Sequence, residues 1–167
     1  MLVILSGLPG VGKTSVAREL ARQLRAVHLR MDSIEQAIRS AATNSHPLDD
    51  VGYRVAYAVA EDNLRLGRTV IADSVNPLQL TRNAWVNVAK RAGVRAVEIE
   101  IQCSAPDEHR RRVEARTSDI PGLTLPTWAE VVAREYHAWD RDHLVIDNAS
   151  RTIDECICLI RAALSAA

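Results

Sequence analysis

Residues 7–14 read Gly7-Leu8-Pro9-Gly10-Val11-Gly12-Lys13-Thr14 and fit G-x-x-x-x-G-K-[ST] at every fixed position. A polyphosphate needs several donors pointing inward with no side chain in the way. Glycines let the backbone wrap so that its N–H groups face the anion. The helix expected after the loop adds its own unpaired N–H groups, that of Ser15 included, and its positive dipole end. Lys13 brings a full charge to the β/γ oxygens, and the Thr14 hydroxyl is of a type that holds Mg²⁺. A plain Gly-rich turn explains neither Lys13 nor Thr14. The stretch therefore predicts nucleoside triphosphate binding.

Three further features bear on whether binding leads to transfer. Asp32, in LRMDSIEQAIR, stands at the exit of a second apolar run. A carboxylate there can take a hydroxyl proton as an acceptor attacks phosphorus, or it can simply cap a helix three residues before Glu35. Arg39, further along the same segment, either reaches an acceptor or faces solvent. Asp73 closes the apolar run TVIAD, a Walker-B pattern in which the acid orients Mg²⁺ or its waters, unless it only serves the turn before Asn76-Pro77. Ser74 comes next, where a mechanical ATPase usually has Glu to activate water. The run His109-Arg110-Arg111-Arg112-Val113-Glu114-Ala115-Arg116 puts Arg112 and Arg116 four residues apart, on one helical face. Such a pair can close over phosphates, whereas Arg110 and Arg111 are equally consistent with a solvated face.

The secondary structure that carries these groups can be read from periodicity. Leu2–Leu5 is a continuous apolar run, typical of a strand buried on both sides. Val16, Leu20 and Leu24 then recur at helical spacing. The pattern predicts further strands over 26–31, 69–72, 94–101 and 144–146. It predicts helices over 32–40, 49–66, 76–92, 107–116, 128–139 and 152–164. Asn44-Ser45-His46-Pro47 punctuates the segment before the long helix. Gly67 and Gly93 end two helices. Pro121, Gly122 and Pro126 mark 118–127 as a loop, with Thr127 as the N-cap of the next helix. Strands alternating with helices five times argue for a parallel sheet covered on both faces. On the long helix, Tyr53 and Tyr57 lie opposite Val51, Val55 and Val59; one face packs on the sheet, and Tyr53 is a candidate to line an acceptor pocket. Asn76 and Arg82, near the third strand's exit, are candidates for the same pocket, while Trp85 and Trp139 read as core.

The 167 residues suit one domain burying about 70% of its unfolded surface. Net charge is zero, which gives no global bias towards nucleic acid or membrane. Among the 21 basic residues only Lys13 and Lys90 are lysine, so Lys13 stands out against a drift to Arg. Cys103, Cys156 and Cys158 lack CxxC spacing and read as reduced thiols of a cytoplasmic protein. No run reaches the ~18 apolar residues of a membrane span.

Taken in order, the glycine-rich loop, the acids after the second and third strands, the Arg-rich helix and Ile146-Asp147-Asn148 resemble the small P-loop kinases related to adenylate kinase. Val70-Ile71-Ala72-Asp73-Ser74-Val75-Asn76-Pro77, and Met31-Asp32-Ser33 with Arg39, are similar to the polynucleotide 5′-hydroxyl kinase domain; chloramphenicol phosphotransferase and zeta toxins share the skeleton. The resemblance implies a P-loop NTPase α/β fold in one domain, with a five-stranded parallel sheet ordered 2-3-1-4-5 and a small Arg-rich lid at about 106–127. It implies ATP with Mg²⁺, held by Thr14 and Asp73. It implies Asp32 as the base acting on an acceptor hydroxyl, Arg112 or Arg116 as lid arginines, and adenine near the Arg helix and the turn after Asp147, where Arg110 would meet the nucleotide. The adenylate-kinase motif Asp-Gly-x-Pro-Arg and the GTPase motif Asn-Lys-x-Asp are both missing from the sequence. The expected reaction is γ-phosphoryl transfer from ATP to a hydroxyl of a small molecule. A polynucleotide 5′-hydroxyl kinase and a nucleotide-switched binding module are the alternatives; zero net charge weighs against the first. A homodimer is compatible with the sequence.

Overall fold

A computed structural model describes residues 1–41 and 50–166. The punctuation at 44–47 and the expected first residue of the long helix, Asp49, lie outside the described residues. The chain runs β1 (Leu2–Ser6), α1 (Lys13–Leu24), β2 (Val27–Arg30), α2 (Met31–Ala41), α3 (Val51–Arg65) and β3 (Val70–Asp73). It continues with α4 (Gln79–Arg91), β4 (Ala96–Gln102), α5 (Pro106–Ala115), α6 (Trp128–Val132), β5 (Leu144–Asp147) and α7 (Ile153–Ala166). The five strands pair in parallel in the order β2-β3-β1-β4-β5. Among the described residues no helix is long and apolar enough to cross a membrane.

β1 sits at the centre and all five of its residues are buried, because helices cover both sheet faces. Successive side chains point to opposite faces. Val3 and Leu5 therefore join α1 and α7 through Val16, Leu20, Ile157 and Ile160. Leu2 and Ile4 join α3 and α4 through Ala56, Ala60, Leu64 and Trp85. On α3 the small residues Gly52, Ala56 and Ala60 are buried. Tyr57 meets Trp85 edge-on at 4.7 Å between centroids. The two tyrosines thus take the sheet side, and Val51, Val55 and Val59 are each about 40% exposed.

Several boundaries differ from the periodicity, three of them with consequences for the strand exits and the segment after α6. Met31 opens α2 instead of ending β2, so Asp32 lies in the first helical turn and is not its cap. α4 starts at Gln79, because Asn76 takes a left-handed backbone (φ 48°) that a helix cannot contain. α6 stops at Val132, short of the expected 139. Its start is as read: Thr127 and Glu130 form a reciprocal capping box.

Register places the chemistry. Leu5 and Arg30 both pair with Asp73, so the exits of β1, β2 and β3 share one level. The glycine-rich loop, Asp32 and Asp73 are gathered at that edge, beyond the carboxyl ends of the strands, where open α/β sheets bind ligands.

Candidate active site

The loop between β1 and α1 is shaped by glycines with left-handed backbones. Gly7 has φ 134° and Gly12 has φ 95°. A Cβ on Gly7 would run into the Ile101 carbonyl, and one on Gly12 would stand 2.6 Å from Asn148 Nδ2. Both positions therefore require glycine for space as well as for conformation. No side chain caps α1, whose first-turn N–H groups face the loop as an anion site.

Two clamps hold the loop. His109 Nε2 lies 2.8 Å from the Pro9 carbonyl. Asn148 Nδ2 donates to the Val11 carbonyl, and Asn148 Oδ1 accepts from Arg112 Nη1 at 2.8 Å. The loop-clamping roles of His109 and Asn148 are not legible in the chain: one sits in an Arg run, the other in the turn after β5, and neither carries a motif.

Lys13 is buried, and its Nζ donates to the Leu8 carbonyl at 2.8 Å. Burial lowers its pKa to about 8, against the opposing pull of Asp73 and Asp32. A polyphosphate in the loop favours the charged form. Nucleotide affinity is therefore expected to be level below about pH 7 and to fall as pH rises through about 8, where the free protein must take up a proton to bind. Calorimetry at about pH 9 in buffers of different ionisation enthalpy checks this: the apparent heats should diverge, and equal heats would contradict it.

Asp73 is 4% exposed. Burial pushes its carboxyl up, but a His28 contact at 3.2 Å, the Lys13 charge and the Thr14 hydroxyl together hold it below its usual value. An ionised carboxylate beside the Thr14 hydroxyl at the end of an anion cradle is the donor set Mg²⁺ takes, through oxygen and through water. Those residues fit a Mg²⁺–nucleotide.

Asp32 is 41% exposed, and its charge, like that of Asp73, acts on Lys13. Two guanidinium groups stand beside it: Arg116 Nη2 at 3.9 Å and Arg30 Nη2 at 4.0 Å. Arg116 gets there because α5 ends at Ala115 and residue 116 is extended (ψ 133°). The expected shared direction with Arg112 is thereby lost. Arg112 turns instead to Glu108 Oε1 (2.6 Å), Asn148 Oδ1 and the Asn148 carbonyl (3.1 Å). Arg110 pairs with Glu114 on the exposed face of α5.

Acceptor-side expectations divide. Tyr53 is half-buried next to Ser74 and Asn76, and burial raises its hydroxyl to about 12. Arg39 is held by Glu35 at 3.2 Å. Burial, with the Asp32 charge added, pushes the Glu35 carboxyl up against the pull of Arg39. Asn76 and Arg82 need correction, since both are fully buried. Asn76 donates to Leu5 O and Ser6 Oγ, and accepts from Ser74 Oγ and Trp85 Nε1. Arg82 donates to the carbonyls of Asn76, Pro77, His137 and Ala138, and lies 4.2 Å from the centroid of Trp139. They tie the β3 exit to the 137–138 segment.

Arg134 is the addition. It is exposed just beyond α6, yet its charge acts on Lys13, Glu35 and Tyr53, and it makes no ion pair within 4 Å among the described residues. The sequence periodicity carries the helix on to 139, whereas it stops at Val132, and gives Arg134 no separate signal. The loop after α5 reaches the β2 edge of the site. Its Asp119 carboxylate is bound by Arg18 of α1 and by Arg30 of β2, the latter at 2.9 Å.

A family model described as an AAA domain matches residues 2–134. A protein of Aeropyrum pernix described as a probable adenylyl-sulfate kinase is 25% identical over 181 residues, covering 99% of this chain and 93% of its own. The structure of Mycobacterium tuberculosis APS kinase in complex with AMPPNP and APS superposes with a TM-score of 0.74 at 23% identity, over 98% of this chain and 96% of that one. A gluconokinase from Sinorhizobium meliloti gives 0.67 at 16% identity, over 98% and 90%.

Proposed function

This chain belongs to the AAA-domain family, and from that premise we propose that it is an ATP- and Mg²⁺-dependent phosphotransferase that moves the γ-phosphoryl group to a hydroxyl of a small molecule. The observation that carries the reading is the Asp32 carboxylate: open to solvent, within reach of the Lys13 charge and flanked by Arg116. A switch module needs no solvent-open acid at that position. Relatives described as adenylyl-sulfate kinase and gluconokinase support the same class of reaction.

Each group has a part. The loop amides and Lys13 hold the triphosphate, and the Thr14 hydroxyl and Asp73 carboxylate would hold Mg²⁺. That ion supplies charge neutralisation on the phosphate oxygens when bound. Asp32 accepts the acceptor hydroxyl proton as that oxygen meets the γ-phosphorus in line with the departing oxygen. Arg116 faces the charge that gathers on the transferred group. Closed over the reacting groups, the loop after α5 would keep water away, which favours an alcohol over hydrolysis.

The test is a screen of hydroxyl compounds, including a 5′-hydroxyl oligonucleotide, for ADP release above the rate without acceptor. One or more small alcohols should raise that rate. A flat screen with intact ATP binding would point to a nucleotide switch, and stimulation by the oligonucleotide alone would point to a polynucleotide kinase.

A further inference from the structure

We propose that the cavity between α1, β2, α2 and the loop after α5 is an oxyanion subsite, so that the phosphorylated molecule carries a phosphate, sulfate or carboxylate a few bonds from its reacting hydroxyl. This rests on the phosphotransferase reading and names the class of acceptor. The cavity measures about 360 Å³ and is lined by Arg18, His28, Arg30, Ser33, Asp119 and Ile120. That volume admits a tetrahedral oxyanion together with part of a polyol chain.

Arg30 makes the site a built one. Its side chain is only 10% exposed, and its Nε is buried without a hydrogen-bond partner. A buried guanidinium N–H left unmatched is costly, and a bound oxyanion is a group that would match it. Arg30 also reaches two ways. Nη1 lies 2.9 and 3.1 Å from the two Asp119 oxygens, and Nη2 lies 4.0 Å from Asp32. One guanidinium therefore separates the candidate base from the cavity. A hydroxyl at Asp32 and an oxyanion on Arg30 belong to the two ends of one small molecule.

Asp119 occupies the place an oxyanion would take. Two arginines from different elements, Arg18 and Arg30, converge on this one loop carboxylate. Arg18 and Asp119 are each about half exposed, where an ion pair adds little stability. The pairing makes better sense as a placeholder. Both planar arginine forks match a carboxylate, and they match phosphate or sulfate equally well. With Asp119 displaced, two guanidinium groups face the cavity, and Ser33 and His28 stand beside them. Entry of the anion then also frees the loop to rearrange over the reacting groups.

The test uses the full chain with the loop site filled by Mg²⁺ and AMPPNP. Sulfate is titrated by calorimetry against chloride at matched ionic strength. Saturable binding at one site is expected, weakened tenfold or more in Arg18→Gln and in Arg30→Gln and tightened in Asp119→Asn. Arg18 is half exposed, so its variant folds even if the Arg30 variant does not. In parallel, ADP release is compared for a polyol phosphate, an aldonate and the neutral polyol of the same length. At least one anionic member should exceed the neutral one tenfold or more in kcat/KM, and Arg18→Gln should erase that preference. No sulfate binding beyond the chloride control, a neutral polyol used as well as the anionic ones, or a preference that survives Arg18→Gln would each overturn the subsite. Arg18-dependent sulfate binding with no ADP release from any alcohol would instead sink the phosphotransferase reading and leave the anion site standing.

Discussion

Replacing Arg116 by Gln is expected to lower acceptor turnover by about 10³-fold or more, the scale on which an arginine facing a transferred phosphoryl group acts. Nucleotide affinity should change far less, because the loop amides and Lys13 make the ground-state contacts. The paired control is Arg112→Gln. Arg112 is tied to Glu108 and to Asn148, which itself holds the Val11 carbonyl. Its loss should loosen the phosphate loop and appear mainly in nucleotide affinity. Steady-state kinetics with both variants separates a loss in kcat from a loss in binding. Equal losses of kcat in the two would contradict the geometry, in which Arg116 and not Arg112 stands beside Asp32.

Asp32→Asn should reduce turnover by about 10²–10⁴-fold, the usual contribution of a positioned general base. The amide keeps the shape and loses the proton acceptor. Nucleotide binding should survive, or tighten slightly, since a negative charge near the polyphosphate is removed. Calorimetric titration of AMPPNP beside acceptor-dependent ADP release reads the two quantities separately. A variant that keeps full turnover would assign Asp32 to the helix terminus alone, where its place in the first turn of α2 already gives it a favourable position against the dipole.

Much of this site is readable in the chain, for reasons that are local. The phosphate loop is a contiguous motif whose every position has a backbone or charge requirement, so Gly7 to Thr14 announce themselves. Asp73 ends an apolar run, and β–α alternation gives a parallel sheet covered on both faces, while the strand order comes from the resemblance to the small P-loop kinases. Arg112 and Arg116 depart from their spacing where locality ends: four residues imply a shared direction only while the helix continues, and α5 stops between them. Arg134 is hidden in the same way, because the periodicity carries α6 on to 139, past its end at Val132. Asn76 and Arg82 are polar residues near a strand exit, which resembles a pocket lining in sequence. In the fold both satisfy buried carbonyls, a tertiary duty that no spacing rule encodes. The convergence of Arg18, Arg30 and Asp119, from three separate elements, has no signal in the sequence either.

In the proposed reaction the γ-phosphoryl group passes to an alcohol oxygen at Asp32 and not to water. Phosphorus-31 NMR of the protein with ATP, Mg²⁺ and the alcohol that best stimulates ADP release distinguishes the two fates. A phosphomonoester resonance should grow in step with ADP and be lost in Asp32→Asn; ADP matched entirely by inorganic phosphate would contradict transfer to an alcohol.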